Sequence, residues 1–310
     1  MAKLSAYCLP DNKASRISFL KNHDQLDRII PVCLQIKSRG EIINSCKKED
    51  SLLYLRKNMD PKLISPLVQN CNLDSEVSNI ILDKPTIWGK IIRNLINYMQ
   101  DQRFSSLNLN LEGIKPDRKT ELNQFVYLIR KSFQEINFNL ELSLPAKIED
   151  NCSEWGGAYD YQTLSQLCDR FMVMAYDYHW TNGPSGAIAP LWWVKDVIDY
   201  VLINCLPEKV FLGIPCYGYD WVINQSQKPA RGLSHQQVRK IITRHSLAVQ
   251  WSQKDQVPFI KYQKDKKKHE VWFENKESII KKLQLVNAYN LGGAVFWRLG
   301  LEDPELWNDL

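Results

Sequence analysis

Residues 104–113 read Phe-Ser-Ser-Leu-Asn-Leu-Asn-Leu-Glu-Gly, and this strand-like stretch decides the fold. Successive side chains of a strand point to opposite faces, so the leucines and the polar residues separate here. One face carries Leu107, Leu109 and Leu111, and the other carries Asn108, Asn110 and Glu112. Helical patterns precede the stretch at residues 87–100 and follow it at residues 122–133. A strand between helices is typical of a parallel sheet with both faces covered, so we expect the polar face to be enclosed as well.

Strand and helix patterns alternate along the rest of the chain in the same way. The predicted strands are residues 4–9, 31–36, 63–69, 106–111, 139–144, 171–176, 210–214 and 293–297. Helical patterns fall between most of them, for example at residues 160–168, 191–202 and 276–288. Eight such units predict an α/β fold, a (β/α)8 TIM barrel. Barrel enzymes keep their chemistry at the C-terminal ends of the strands, which is where Glu112 falls.

Residues 223–274 depart from this alternation. They contain a helical pattern at residues 234–245 and two strand patterns at residues 257–263 and 269–273. We interpret them as a small α+β insertion after strand seven of a single barrel domain that spans residues 1–310. The basic run Lys264-Asp-Lys-Lys-Lys-His269 is expected to be the solvated tip of a hairpin in this insertion.

Composition excludes several classes of function. The 310 residues carry 40 basic and 35 acidic side chains, a net charge of +5, and the basic residues are scattered, which argues against nucleic-acid binding. No apolar run is long enough to span a membrane, so no membrane partner is expected. Five scattered histidines and eight cysteines without a Cys-x-x-Cys pair indicate neither a metal site nor a disulfide framework. We expect a monomer that needs no cofactor.

The stretch at 104–113 resembles the Asp-x-x-Asp-x-Asp-x-Glu signature on barrel strand four of glycoside hydrolase family 18, the chitinases and related enzymes. It is most similar to the branch of bacterial spore cortex and cell-wall lytic enzymes, which has Phe-Asp-Gly-Val-Asn-Ile-Asp-Phe-Glu. Further segments also look like this family, so that the resemblance covers nearly the whole chain. They are Met174-Ala-Tyr-Asp-Tyr-His179, Trp155-Gly-Gly-Ala-Tyr-Asp160, residues 189–193, residues 208–221 and residues 292–304.

The resemblance implies substrate-assisted, retaining cleavage of β-1,4 bonds next to N-acetylglucosamine, an exception to the usual scheme of two carboxylates. Glu112 would protonate the glycosidic oxygen, and the 2-acetamido oxygen of the sugar would attack the anomeric carbon. Position 110 would hydrogen-bond to the acetamido N–H, and Tyr176 would orient the acetamido oxygen. Asp177 would bind the sugar and Trp297 would stack on its ring. The implied partner is a glycan such as chitin, a chito-oligosaccharide or peptidoglycan.

Other candidate contacts to substrate lie at the same rim, and several candidates have a structural alternative. The additional candidates are Asn108, Tyr217, Trp221 and Gln69. Tyr217 and Trp221 would line the cleft wall, or else only anchor the insertion. Tyr176 and Asp177 would otherwise be a hydrogen-bonded pair at the rim, and Trp297 would otherwise be core.

The signature itself is altered at two positions, since Asn110 and Ser105 stand where the family has aspartate. Asn110 accepts a hydrogen bond but carries no charge, and losing a buried electrostatic stabiliser costs roughly 10²–10³ in rate. A related class of endo-β-N-acetylglucosaminidases uses an Asn-x-Glu pair for the same chemistry, and Asn110-Leu-Glu112 resembles it. Three functions therefore stay open: a hydrolase, a catalytically silent carbohydrate-binding protein, or a protein-interaction module on the same fold.

The cellular location also stays open. The first ten residues contain no long apolar core, so no signal peptide is visible. The chain is expected either to be cytoplasmic or to be a domain of a longer exported precursor.

Overall fold

The computed structural model describes residues 3–46, 51–150, 155–223 and 228–310. Cys152 and residues 224–227 of the predicted insertion lie outside the described residues. The strands are β1 (Lys3–Cys8), β2 (Arg28–Ile36), β3 (Ile42–Asn44), β4 (Leu67–Asn70), β5 (Ser106–Asn110), β6 (Asn139–Pro145), β7 (Arg170–Met174), β8 (Val210–Pro215), β9 (Tyr217–Val222), β10 (Arg231–Ser234), β11 (Gln250–Ser252), β12 (Val257–Lys264), β13 (Lys267–Phe273) and β14 (Gly293–Trp297). The α-helices are α1 (Lys13–Asn22), α2 (Leu53–Asn58), α3 (Ser75–Leu82), α4 (Trp88–Gln102), α5 (Lys119–Gln134), α6 (Tyr161–Leu167), α7 (Leu191–Asn204), α8 (His235–His245) and α9 (Lys276–Ala288).

Eight parallel strands close into a barrel, which confirms the predicted TIM-barrel fold. Their order is β1-β14-β8-β7-β6-β5-β4-β2, and β1 also pairs with β2, so the sheet has no free edge within the ring. The short strand β3 adds to β2 in antiparallel orientation outside the ring. The helices cover the outer face of the strands, and their buried apolar side chains form the main core with the outward-facing strand residues.

One barrel strand starts later than its sequence pattern suggests. Strand β4 begins at Leu67 rather than at residue 63, because Pro61–Leu63 forms a turn of 3-10 helix. Asp60 stabilises that turn by accepting a hydrogen bond from the backbone N–H of Lys62 at 2.9 Å. Ile64 forms only an isolated bridge with Ile29, and Pro66 has no N–H to contribute, so the continuous ladder begins at Leu67.

The barrel interior has an ionic end and an apolar centre. Near the N-terminal ends of the strands, the fully buried Glu141 contacts Arg170 at 2.6 Å and Arg28 at 3.3 Å. Above it lies a small apolar cluster formed by Tyr7, Ile30, Leu67, Met172, Phe211 and Val295. The polar residues of β5 rise from this cluster toward the C-terminal ends, where the chemistry of barrel enzymes is found.

A second, antiparallel sheet follows β8, with the strand order β10-β9-β13-β12-β11 and α8 packed against it. It includes β9, which lies before residue 223 and so before the predicted start of the insertion. The tip of the hairpin between β12 and β13 is the turn Asp265-Lys266, where both residues have positive φ angles of 50° and 62°. That the segment is an inserted unit of the barrel domain stays a prediction.

A buried ion pair joins the end of β13 to α9. Glu274 and Lys282 lie 2.7 Å apart, and both side chains are only 1% exposed. Ser278 donates a second hydrogen bond to the same carboxylate oxygen at 2.6 Å. Burial raises the pKa of Glu274, while the Lys282 ammonium opposes that shift. The pair therefore fixes the start of α9 against the second sheet, provided that both charges are present.

We expect Lys282→Met to destabilise the protein by roughly 3–5 kcal/mol, because it leaves the Glu274 carboxyl buried without its cation. The double variant Glu274→Gln/Lys282→Met should recover most of that loss. The measurement is the free energy of unfolding from urea titrations, with Lys240→Met, an exposed lysine on α8, as the matched control. A single variant as stable as the control would contradict the role given to the pair.

Candidate active site

A cleft of about 630 Å³ opens at the C-terminal ends of the barrel strands. It contains six of the nine predicted site residues: Glu112, Asn110, Tyr176, Asp177, Trp297 and Gln69. The rest of its wall is mostly aromatic or apolar, with Tyr7, Leu67, Leu73, Ser143, Pro145, Ala146, Trp155, Met174, Tyr178, Trp180 and Trp193. Flat aromatic rings around a few polar groups suit the faces and hydroxyls of a sugar.

Asn110 and Glu112 are paired at the base of this cleft. Asn110 is the last residue of β5, and its Nδ2 donates to Oε1 of Glu112 at 2.7 Å. The other end of the amide, Oδ1 of Asn110, is buried and has no hydrogen-bond partner among the described residues. A buried acceptor without a partner is costly, so this atom is suited to receive a donor from a bound molecule.

The surroundings of Glu112 favour its protonated form. Burial raises its pKa above the ordinary value for glutamate, and the negative charge of Asp177 raises it further. The amide donor of Asn110 acts in the opposite direction because it stabilises the carboxylate. The net effect is a carboxyl that keeps its proton to higher pH than a free glutamate, as a general acid requires.

Asp177 is held by two tyrosines of the second sheet. It lies just after β7 with a positive φ angle of 61°, and its Oδ1 accepts hydrogen bonds from the hydroxyls of Tyr217 and Tyr219 at 2.5 and 3.0 Å. Its side chain is open to the cleft but otherwise enclosed by protein, and this burial raises the pKa of Asp177 while the two hydroxyls lower it. Strand β9 therefore contributes directly to the site.

Two aromatic side chains, Tyr176 and Trp297, line the cleft together with Glu112 and Asp177. The ring of Tyr176 meets that of Tyr217 nearly at right angles, with the centroids 6.5 Å apart. Gly213 leaves room for this ring, because a Cβ there would lie 3.0 Å from it and 2.5 Å from the carbonyl of Val173. The half-buried Trp297 packs against Tyr7 in a T-shaped arrangement with the ring centroids 5.1 Å apart, and it leaves part of its surface to the cleft.

Three predicted substrate contacts lie outside the cleft lining. Asn108 is fully buried one layer below, where it accepts from Ser143 at 2.8 Å and donates to the sulfur of Met172 at 3.0 Å. Trp221 is buried and donates to the carbonyl of Gly183 at 3.1 Å, while Tyr217 is occupied with Asp177. Sugar contact by these three stays a prediction, and their observed partners are all protein groups.

Sequence reasoning missed several residues of the cleft. Trp155 and Trp180 are 62% and 51% exposed at its rim, in the loops after β6 and β7. Tyr7 lies on β1 among apolar neighbours, so no sequence pattern separates it from ordinary core. Tyr219 could have been predicted from the sequence, since it lies two residues after the candidate Tyr217 and therefore on the same face of β9.

The titratable side chains of the described residues can also be compared with the arrangements that hold metal ions. Among them, no group of three or more His, Cys, Asp or Glu side chains is arranged to hold a metal ion. The seven described cysteines are free thiols. No described helix is both long and apolar enough to cross a membrane.

Comparison with known families gives a match to the model described as glycosyl hydrolases family 18, over residues 78–302. The chain is 29% identical to the cortical fragment-lytic enzyme of Bacillus subtilis (strain 168), over 81% of this chain and 59% of that protein. It is 27% identical to the di-N-acetylchitobiase of Mus musculus, over 74% of this chain and 69% of that protein. The chain thus spans a little under three fifths of the first of these relatives.

Solved structures share the fold. The spore cortex-lytic enzyme SleL of Bacillus megaterium QM B1551 superposes with a TM-score of 0.90 at 23% identity, covering 99% of this chain and 72% of that one. A chitinase from Chromobacterium violaceum ATCC 12472 superposes with a TM-score of 0.89 at 24% identity, covering 99% and 97%. At these identities the likeness establishes the barrel architecture.

The geometry predicts that Asp177→Asn lowers the pKa of Glu112. Removing the neighbouring negative charge makes ionisation of Glu112 less costly, so the carboxyl should lose its proton at lower pH than in the parent. The measurement is an NMR titration of the carboxyl carbon in protein labelled with ¹³C-glutamate. Asp101→Asn, at an exposed position on α4, serves as the control. A pKa of Glu112 that stays unchanged or rises would contradict the coupling.

Proposed function

Because the chain belongs to the glycosyl hydrolases family 18, we propose that it hydrolyses β-1,4 bonds next to N-acetylglucosamine in chitin, chito-oligosaccharide or peptidoglycan. The relatives named for lysis of cortical fragments and for cleavage of di-N-acetylchitobiose support this class of glycan. The proposed reaction is substrate-assisted and retaining, with Glu112 as the acid and Asn110 as its partner.

The observation that carries the proposal is the Asn110–Glu112 pair at the base of an aromatic cleft. An acid with a raised pKa, just past the end of β5, is hydrogen-bonded to an amide two residues earlier whose own oxygen has no partner among the described residues. An N-acetylated sugar supplies the two complementary groups, a glycosidic oxygen to be protonated and an acetamido N–H to be bound. A sugar without the acetamido group lacks the oxygen that attacks the anomeric carbon in the proposed reaction.

In the first step, Glu112 transfers its proton to the glycosidic oxygen as the bond to the anomeric carbon breaks. The acetamido oxygen of the same sugar attacks that carbon, which gives an oxazolinium ion and releases the rest of the glycan as an alcohol. Asn110 accepts a hydrogen bond from the acetamido N–H, so the acetamido oxygen is held toward the carbon that it attacks. The net charge of substrate and acid together is unchanged, because the carboxylate forms as the cation forms.

In the second step, Glu112 acts as the base. Its carboxylate removes a proton from a water molecule, which attacks the anomeric carbon and opens the oxazolinium ring. The sugar is released with its original configuration, and Glu112 is again protonated for the next cycle. A group that donates one proton to the leaving group and then accepts another from water must have a pKa near the working pH, and burial moves the pKa of Glu112 in that direction.

The remaining cleft residues are assigned to binding. Tyr176 is proposed to orient the acetamido oxygen through its hydroxyl. The second carboxylate oxygen of Asp177 takes no hydrogen bond from the two tyrosines that hold its Oδ1, so it is free to accept one from the sugar. Trp297 offers a partly exposed ring on which a pyranose can stack, and Gln69 faces the same cleft.

Asn110 makes this a slower catalyst than one with a carboxylate at that position. The amide oxygen carries only a partial charge, so it stabilises the oxazolinium ion less, by roughly 10²–10³ in rate. Ser105, at the other altered position of the motif, precedes β5 and contacts Asn139 through its backbone carbonyl. We therefore also propose a second candidate, a carbohydrate-binding protein without turnover, which the missing charge at position 110 favours.

Replacing the acid by its neutral isostere tests the main proposal. We expect Glu112→Gln to abolish hydrolysis of chito-oligosaccharides and peptidoglycan, because an amide keeps the shape but has no acidic proton. Products are read by mass spectrometry, and the affinity for the oligosaccharide, measured by calorimetry, should stay nearly unchanged. Turnover equal to that of the parent would remove Glu112 from the mechanism.

Restoring the carboxylate separates a weak enzyme from a silent binder. If the other groups are aligned, Asn110→Asp should raise the hydrolysis rate by about 10-fold or more, because a negative charge then faces the oxazolinium ion. A flat or lower rate would indicate a network built around the amide, as in an Asn-x-Glu enzyme. Binding of N-acetylglucosamine oligomers without products from either protein would support the silent binder. The absence of any affinity for these glycans would contradict both the hydrolase and the carbohydrate-binding protein, and would leave the protein-interaction module.

A further inference from the structure

We propose that Asn70 is a positioning residue for the acid, because its side chain holds the backbone N–H of Glu112. This inference rests on the proposed function, in which Glu112 donates the proton. Asn70 is the last residue of β4, and in the structure it is fully buried and outside the cleft lining. It therefore acts on the acid and has no direct contact with the space that a sugar would occupy.

The need for such a residue follows from where β5 ends. The strand ladder stops at Asn110, so the backbone that carries Glu112 has no strand partner beyond that point. Side chains take the place of the ladder. Their hydrogen bonds are Tyr159 Oη to the Leu111 carbonyl at 2.7 Å, Glu112 N to Asn70 Oδ1 at 3.0 Å, Ser78 Oγ to the Glu112 carbonyl at 2.7 Å, Asn79 Nδ2 to the Gly113 carbonyl at 3.1 Å, and Lys115 N to Asn79 Oδ1 at 3.0 Å.

Asn70 uses both ends of its amide in this arrangement. Oδ1 accepts from Glu112, while Nδ2 donates to the carbonyl of Asp74 at 2.8 Å. One partner is a donor and the other an acceptor, so the orientation of the amide is fixed. Asp74 in turn caps α3 by accepting from the backbone N–H of Glu76 at 2.9 Å. The acid is thereby tied to the N-terminus of a helix.

Helix α3 also packs closely against the backbone of Glu112 and Gly113. Ser78 and Asn79 both come from this helix, and both are buried. Gly113 has a positive φ angle of 67°, and a Cβ at this position would lie 2.5 Å from the Cβ of Ser75. The close approach that a glycine allows is what lets α3 reach the backbone of Glu112.

The consequence concerns the proton transfer. A general acid must come within about 2.6–3.2 Å of the atom that it protonates, so a small rotation of its backbone is enough to misplace the carboxyl. Loss of the Asn70 hydrogen bond removes a restraint on the backbone of Glu112 itself. Binding should change little, because the aromatic wall and Asp177 are untouched.

The test compares two substrates that differ in their need for an acid. The leaving group of a chito-oligosaccharide is a sugar hydroxyl, which must receive a proton as the bond breaks. The leaving group of a 4-nitrophenyl glycoside of the same sugar is 4-nitrophenolate, which is stable as an anion. The quantity compared is kcat/KM, because it reports only the steps up to departure of the leaving group and not the later attack of water, which both substrates share. With Asn70→Ala, we expect kcat/KM on the oligosaccharide to fall by about 10-fold or more while KM stays within about 2-fold. On the nitrophenyl glycoside we expect a fall in kcat/KM of less than about 3-fold.

Matched variants guard against a general loss of structure. Asn58→Ala deletes an amide that also donates to a backbone carbonyl, that of Tyr54 at 2.7 Å, but away from the cleft, and it should leave both substrates unaffected. If Asn70→Ala fails to fold by circular dichroism, Ser78→Ala provides the same test, because it removes one hydroxyl from the backbone of Glu112 with little change in volume. It should give the same pattern with a smaller fall in kcat/KM.

Glu112→Gln, measured in parallel, distinguishes the two possible failures. If Glu112→Gln lowers kcat/KM for the oligosaccharide far more than for the nitrophenyl glycoside but Asn70→Ala lowers kcat/KM for both equally or for neither, only the positioning role is overturned. If Glu112→Gln itself fails to distinguish the substrates, or if the parent turns over neither of them, the proposed function fails and the role of Asn70 fails with it.

Discussion

The polar face of β5 is the constraint on which the rest of the structure depends. Asn108 and Asn110 of β5, and Glu112 just beyond its end, point into the closed barrel or the cleft above it, where each polar group must find a partner or carry a desolvation cost. Asn108 is satisfied by Ser143 and Met172, and Glu112 is satisfied in part by Asn110. One acceptor of Asn110 is left over. The unpaired hydrogen-bond acceptor is thus at the C-terminal end of the strand, beside the acid and facing the cleft.

Each carboxyl of the cleft takes its properties from a different part of the fold. Glu112 is set by the barrel, through burial, the amide of Asn110 and the side chains that hold its backbone. Asp177 is set by the second sheet, through the hydroxyls of Tyr217 and Tyr219 on β9. Because the two carboxyls repel each other, the second sheet also influences the acid. The second sheet therefore has a role in the site, although none of its described residues is part of the cleft lining.

Much of the fold could be predicted from the sequence, and the misses have local physical causes. Strand and helix patterns gave the barrel because period-two and helical spacing are strong over most of the chain. The start of β4 was misplaced because apolar residues before Pro66 lie in a 3-10 turn. At the site, six predicted residues line the cleft, while Asn108, Tyr217 and Trp221 are turned toward protein partners. Trp155 and Trp180 were missed because an exposed tryptophan in a loop has no periodic signal.

The sequence by itself determined that Asn110 and Glu112 share one face of a strand at its C-terminal end, because side chains two residues apart on a strand point the same way whatever surrounds them. Only the tertiary structure decided what each polar group contacts. Asn70 lies 42 residues from Glu112 in the chain, and Tyr217 lies 40 from Asp177. An amide or a hydroxyl binds sugar, backbone or carboxylate equally well, so its partner is set by which atoms the closed barrel and the second sheet bring within hydrogen-bonding distance.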